Sequence, residues 1–170
     1  MKRALAVVCG VLLMTAMAAA QRGGARNFAG TWYFDQTATT ASAAEAKMAA
    51  GSIFGEAFNA TQTPTSLTLH ITAGTLNVTA VYALDGSVSK NTSPPAMPGT
   101  APIDIASVAK WDGDRLLITS TSQSPSANGP VDVKSVRTMW LDAQGRLVIE
   151  RTGTPETVVA SSRSVYKKRM

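Results

Sequence analysis

From Phe28 onward the chain alternates with a period of two: Thr and Ser interleave with Val, Leu and Ile, and turn residues recur about every ten positions. The alternation predicts strands over residues 30–35, 65–72, 75–83, 87–91, 104–111, 115–122, 131–141, 146–152 and 157–166. Between them lie turn signals with a backbone reason. Asp85-Gly86 reads as a type I′ hairpin, Ala73-Gly74 supplies a Gly, and Trp111-Asp112-Gly113-Asp114 and Asp142-Ala143-Gln144-Gly145 are further tight connections. A chain of hairpins is a meander. The expected fold is therefore all-β: an antiparallel meander closing into an up-and-down β-barrel of about eight to ten strands.

Register arithmetic tests one hairpin. With Ala73-Gly74 as its two-residue loop, Ile71 faces Leu76, Leu69 faces Val78 and Leu67 faces Ala80, while His70 meets Asn77 and Thr68 meets Thr79. Apolar then meets apolar along one face, as a half-buried hairpin requires. The same rule at Asp85-Gly86 sets Tyr82 against Ser89 and Ala80 against Asn91. That leaves two readings, a bulge or a partly polar inner face.

Three stretches break the alternation. Residues 41–60 are Ala-rich, and Ser42 with Glu45 forms a capping-box pattern. They predict a short helix after the first strand, then a helical or irregular piece interrupted by Gly51 and Gly55. Ile53, Phe54 and Phe58 are too apolar to lie together in water, so this segment is expected to cap the barrel as a lid of low stability. Residues 92–102 and 123–130 are Pro/Gly/Ser loops. Counting strands up and down places these two loops at one end of the barrel and segment 41–60 at the other.

The first twenty residues do not share the pattern. Lys2 and Arg3, the apolar run from Ala4 to Met14, and Ala18-Ala19-Ala20 read as a secretory signal peptide cleaved before Gln21. Residues 21–27 are a flexible leader, and 28–170 form a single domain. The protein is thus expected to be exported, to the periplasm or outside the cell, with no membrane span in the mature chain. Its single Cys, Cys9, leaves with the signal, so packing and hydrogen bonds must hold the mature fold.

Charge narrows the partners. The net charge is +5, and loss of Lys2 and Arg3 lowers it to +3, too mild a balance to indicate nucleic acid. One His and one Cys cannot build a His/Cys metal cluster, and no Gly-x-Ser-x-Gly elbow accompanies the many serines. No catalytic constellation, metal or cofactor is therefore expected. His70 falls on the polar face of its hairpin, hence on the outer wall. Asp112 and Asp114 read as turn formers.

If Leu141 pairs with Arg146, Arg137 meets Glu150 in a surface ion pair and Trp140 shares the other face with Leu147, Ile149 and Arg151. An inward Arg151 would meet an acidic ligand; a one-residue bulge at 142–145 would exchange the faces. The basic end, Tyr166-Lys167-Lys168-Arg169, is expected to be frayed and solvated.

Phe28-Ala29-Gly30-Thr31-Trp32 resembles the first-strand Gly-x-Trp signature of lipocalins and fatty-acid-binding proteins, and Val165-Tyr166-Lys167 is similar to the end of the fatty-acid-binding family. The interior also resembles small exported bacterial lipocalin-like proteins, through Phe58-Asn59-Ala60-Thr61-Gln62, Tyr82-Ala83-Leu84-Asp85-Gly86-Ser87, Lys90-Asn91-Thr92 and Trp111-Asp112-Gly113-Asp114-Arg115-Leu116. The resemblance implies a calycin barrel. The fatty-acid-binding Arg-x-Tyr is here Ser164-Val165-Tyr166, so Tyr166 carries over as a ligand contact and no arginine of that motif does. From the lipocalin closure device, the resemblance implies that Trp32 packs at the barrel base under Arg163.

Two function classes follow. The first is a small barrel that binds an apolar small molecule inside or at its mouth, with Phe54, Phe58, Tyr82, Trp111, Trp140, Arg151 and Tyr166 as candidate ligand residues. The second is a non-enzymatic structural or interaction module that meets a protein, glycan or cell-wall partner through its Pro-rich loops.

Overall fold

The structure, a computed structural model, describes residues 27–73, 76–95, 101–124, 129–153 and 161–169. The expected signal and most of the expected leader lie outside these residues, as do Gly74, Thr75, the central parts of both Pro-rich loops and positions 157–160 of the last expected strand.

Among the described residues eleven strands and one helix follow in the order β1 (Gly30–Phe34), α1 (Gln36–Ala46), β2 (Ala49–Ala50), β3 (Ala57–Gln62), β4 (Ser66–Ala73), β5 (Leu76–Ala83), β6 (Val88–Ser93), β7 (Ile103–Asp112), β8 (Arg115–Ser124), β9 (Val131–Leu141), β10 (Leu147–Gly153) and β11 (Ser162–Lys168). Ten strands form one antiparallel ladder in the order β5-β4-β3-β1-β11-β10-β9-β8-β7-β6, and short β2 runs parallel to β11. The meander barrel expected from alternation is the observed fold.

β5 and β6 are the two ends of this ladder, and side chains close the barrel where they meet. Asn91 Oδ1 accepts from Val81 N–H at 2.7 Å, its Nδ2 donates to Val81 C=O at 3.0 Å, and Ser89 Oγ accepts from Ala83 N–H at 2.8 Å. A side-chain amide thus stands in for a strand's peptide group and satisfies an edge that would otherwise be open. The polar residues Ser89 and Asn91, which made this hairpin's register ambiguous, form this seam. Only Gly86 of the turn takes positive φ, so the turn is not type I′, which needs two such residues.

The β4–β5 register is shifted by two from the expected one. Leu67 pairs with Tyr82, Leu69 with Ala80, Ile71 with Val78 and His70 with Thr79. A shift of two keeps every side chain on its face, so the apolar pairing survives. His70 stands exposed on the outer wall, its Nδ1 3.1 Å from Thr79 Oγ1.

Segment 41–60 departs most from expectation. The helix begins earlier, capped by Asp35, whose carboxylate accepts from Ala38 N–H at 3.0 Å; Ser42 lies mid-helix and bonds back to Thr39 C=O. Lys47 ends it in the left-handed region at φ 54. Residues 57–62 then form a strand, with Phe58 and Ala60 buried and Asn59 and Thr61 exposed. This extra strand reverses the up-down count. The helix therefore shares its end of the barrel with the strand ends Ser93, Ile103, Ser124 and Val131, which flank the Pro-rich loops, and not with the turns at Asp85-Gly86, Asp112-Gly113 and 142–146.

The core is continuous and fills the turn end. Trp32, Leu116, Ile118, Met139, Leu147, Ile149 and Tyr166 have no accessible surface. Phe28 closes the base: its ring stacks on Trp111 at 5.6 Å and its carbonyl accepts from Trp32 Nε1 at 2.8 Å. The cation over Trp32 is Lys168, with Nζ 5.1 Å from the ring centroid, and not Arg163. Arg163 alternates with the inward Ser164 and so points outward. The terminal residues are docked rather than frayed: Lys167 pairs with Asp35 at 3.8 Å and Arg169 N–H donates to Thr31 C=O.

Candidate functional site

The β9–β10 turn decides which side chains face inward. Asp142 accepts from the N–H groups of Gln144 and Arg146 at 2.9 and 2.8 Å and from Arg146 Nε at 2.7 Å, while Gly145 takes φ +74. Burial alone would raise the Asp142 pKa; these hydrogen bonds and the Arg146 charge outweigh it and hold the carboxyl below its usual range. The wrapped loop holds one residue more than the unbulged reading, so Leu141 pairs with Leu147 and not with Arg146. The faces exchange accordingly. Arg137 leaves Glu150 and pairs with Arg151, on the inner face that also carries Met139 and Ile149.

Trp140 goes to the outer wall, where the Arg115 and Arg163 guanidinium carbons lie 4.3 and 5.1 Å from its ring centroid. Arg163 also pairs with Glu150. Trp140 is thus removed from the ligand site, and Arg163 from barrel closure. The extra residue in the 142–146 loop causes the first change, and the alternation of β11, with Ser164 and Tyr166 inward, causes the second.

The inner wall is graded. Nearest the turns, Trp111, Leu116, Met139 and Ile149 form one row across β7 to β10. The next row toward the helix end is Ala109, Ile118, Arg137, Arg151 and Ser162. Beyond it come Ser89, Ser107, Ser120, Ser135 and Gly153, with the Ser107 and Ser120 hydroxyls 2.9 Å apart. Accessibility is not uniform along this direction. Met139 and Ile118 are sealed, Arg137 and Arg151 are partly exposed, Ser107, Ser120 and Ser135 are buried again, and Ile105, Ser122 and Val133 beyond them are partly exposed.

The two arginines are the main polar feature of that wall. Among the described residues no carboxylate pairs with either, and the Nε of each is buried without a hydrogen-bond partner. Burial, and then the Arg137 charge, pull the Arg151 pKa below its ordinary value. Arg137 also lies 5.7 Å from the Phe54 ring centroid. Tyr82 is buried within reach of the Arg137 charge; burial pushes its pKa up and that charge pulls against the rise.

Segment 51–54 crosses the inner side of β11. Phe54 N–H donates to Tyr166 Oη at 2.8 Å, Ile53 N–H donates to Ser164 Oγ at 2.9 Å, and Ser164 Oγ donates to Gly51 C=O. Phe54, Phe58 and Tyr166 form an edge-to-face chain with centroids 5.2 and 5.0 Å apart. The Tyr166 pKa is pushed up to about 12, chiefly by burial.

Among the candidate ligand residues the structure therefore gathers Phe54, Tyr82 and Arg151 about Arg137. It places Phe58 and Tyr166 behind Phe54, Trp111 in the base, and Trp140 outside. Arg137 is the residue that sequence reasoning assigned to the surface. Its signal was present in Gly145, a residue suited to the positive φ of a bulged hairpin loop. Among the described residues no group of three His, Cys, Asp or Glu side chains lies together, and no helix is long and apolar enough to cross a membrane.

A nearly closed ten-strand antiparallel meander with a helical insertion after its first strand is a barrel fold like that of lipocalins and fatty-acid-binding proteins. A solved structure carries the same fold. A single-residue mutant of the fluorescent protein UnaG superimposes with a TM-score of 0.52 at 18% identity, over 84% of this chain and 96% of that one. The apo form of Caenorhabditis elegans lipid binding protein 8 (LBP-8) gives 0.49 at 13% identity, over 84% and 95%. No family model matches the chain, and no curated protein matches it in sequence.

Proposed function

We propose that this protein is an exported, non-enzymatic barrel that binds a small, largely apolar molecule bearing an acidic group, with the acid held between Arg137 and Arg151. One observation carries the reading: two arginines stand side by side on a partly accessible inner wall with no carboxylate partner among the described residues. Like charges at directly opposed strand positions destabilise a sheet, and buried charges are ordinarily paired. An anion from outside the chain removes both penalties. Phe54 and the apolar rows beneath supply the surface for the ligand's body. Export rests on the signal pattern of residues 1–20. Amino-terminal sequencing of the protein secreted by its host tests it, Gln21 being the expected first residue.

The binding test uses two dyes with one skeleton. 1-Anilinonaphthalene-8-sulfonate carries an acid and N-phenyl-1-naphthylamine does not. The expected result is saturable binding of both, with the sulfonate at least about tenfold tighter, as a charge-assisted contact implies. Equal affinities would remove the acid from the proposal, and no saturable binding of either would end it.

A further inference from the structure

The geometry points to a ligand whose head carries two negative charges at one end, as a phosphate monoester or a geminal dicarboxylate does. This inference rests on the acid-binding reading above and adds the charge and shape of the head. Arg137 and Arg151 are Cα partners on adjacent antiparallel strands, so their side chains leave the wall about 5 Å apart at the Cβ atoms. A monoanion between them cancels one charge and leaves the other uncompensated in a partly desolvated place. A dianion cancels both. Guanidinium forks suit an anion with several oxygens, because each presents parallel N–H donors.

The row beyond the arginines fits the same head. Ser135 precedes Arg137 by two residues on the same face, and Gly153 follows Arg151 by two. With Ser120 and Ser107 they make four successive small residues across β7 to β10. Larger side chains would fill the space beside the guanidinium groups. In the Ser107–Ser120 pair only one hydroxyl hydrogen is used between the two oxygens, so the other is free to donate. The wall therefore offers two cations with a row of small, mostly hydroxyl-bearing residues next to them. A single carboxylate, with two oxygens and one charge, leaves much of this set unused.

Displacement of bound 1-anilinonaphthalene-8-sulfonate from the purified protein tests the inference. The competitors share a ten-carbon chain: decyl phosphate, decylmalonate, decyl sulfate and decanol, all below their micelle concentrations. At pH 8 decyl phosphate is a dianion and decyl sulfate, also tetrahedral, a monoanion. The expected result is that decyl phosphate, decylmalonate or both displace the dye at about tenfold lower concentration than decyl sulfate.

The phosphate's advantage should shrink toward pH 5, as its second proton returns near pH 6. The tyrosines at the site do not interfere there, because the Tyr82 and Tyr166 pKa values are raised from 10.0, and His70 lies on the outer wall. Arg151→Met should erase the preference while leaving decanol unaffected. Should both dianions match decyl sulfate at pH 8, the dianion is overturned and the acid reading stands. Should decanol match all three, both readings fail together.

Discussion

Asn91 joins β6 to Val81 of β5 through its side-chain amide alone, giving one hydrogen bond to the Val81 carbonyl and taking one from its N–H. Elsewhere the barrel wall is a backbone ladder. The seam therefore rests on two side chains, Asn91 and Ser89. Asn91→Ala should lower stability by about 1–2 kcal/mol, the usual cost of two part-exposed hydrogen bonds. Hydrogen exchange at the Val81 amide should accelerate well beyond that at Leu69. An unchanged Val81 rate would show that the strands close without Asn91.

Tyr166 gives the alkaline limb a specific shape. Its folded pKa, about 12, lies above the ordinary value of 10.0. Between these values the unfolded chain loses the phenol proton while the folded chain keeps it. The stabilising contribution is thus complete below about pH 10 and is lost as pH rises toward 12. Tyr166→Phe should flatten that decline in a urea series from pH 9 to 11. It should also cost about 1–2 kcal/mol at pH 7, because the buried Phe54 N–H loses its acceptor. Tyr82 shifts in the same direction, so some alkaline loss should persist in the variant.

Most strands were legible because each β-strand of the barrel shows one face to the core, and period-two alternation reports that directly. Strand β9, Val131–Leu141, matches its expected bounds. What alternation cannot report is how many residues a turn consumes. One additional residue in the 142–146 loop exchanged the faces of Arg137 and Trp140, and pairing that begins at Ala73–Leu76 instead of Thr72–Thr75 shifted a register by two without changing any face. Segment 57–62 was hidden differently. Its alternation, Phe58 and Ala60 inward, lies inside an Ala-rich stretch whose composition favours helix, and tertiary pairing with β1 and β4 overrides that propensity. The helix was misplaced for the converse reason: its first turn is rich in Thr, a weak helix former, and Asp35 starts it by capping.

The face assignment itself can be checked with two aromatic substitutions. Trp140→Phe alters the outer wall, so dye affinity should stay within about twofold of the unsubstituted protein. Phe54→Leu shrinks a ring beside Arg137 and should weaken dye binding by roughly three- to tenfold, the range for losing one aromatic–cation contact. The reverse order, Trp140 sensitive and Phe54 indifferent, would place the site on the wrong side of the wall.

The central claim is that Arg137 and Arg151 hold charge which the chain leaves for a ligand to neutralise. Urea unfolding of the unsubstituted protein and of Arg151→Met, each with and without saturating 1-anilinonaphthalene-8-sulfonate, tests it most directly. Without dye the variant should be the more stable by about 1 kcal/mol, since a partly buried like-charge pair is gone and an apolar chain of similar length fills its place. With dye, both midpoints should rise, but the variant should gain about 1 kcal/mol less, as a roughly tenfold weaker site implies. A variant that is less stable without dye, or that gains as much from the dye as the unsubstituted protein does, would contradict the account.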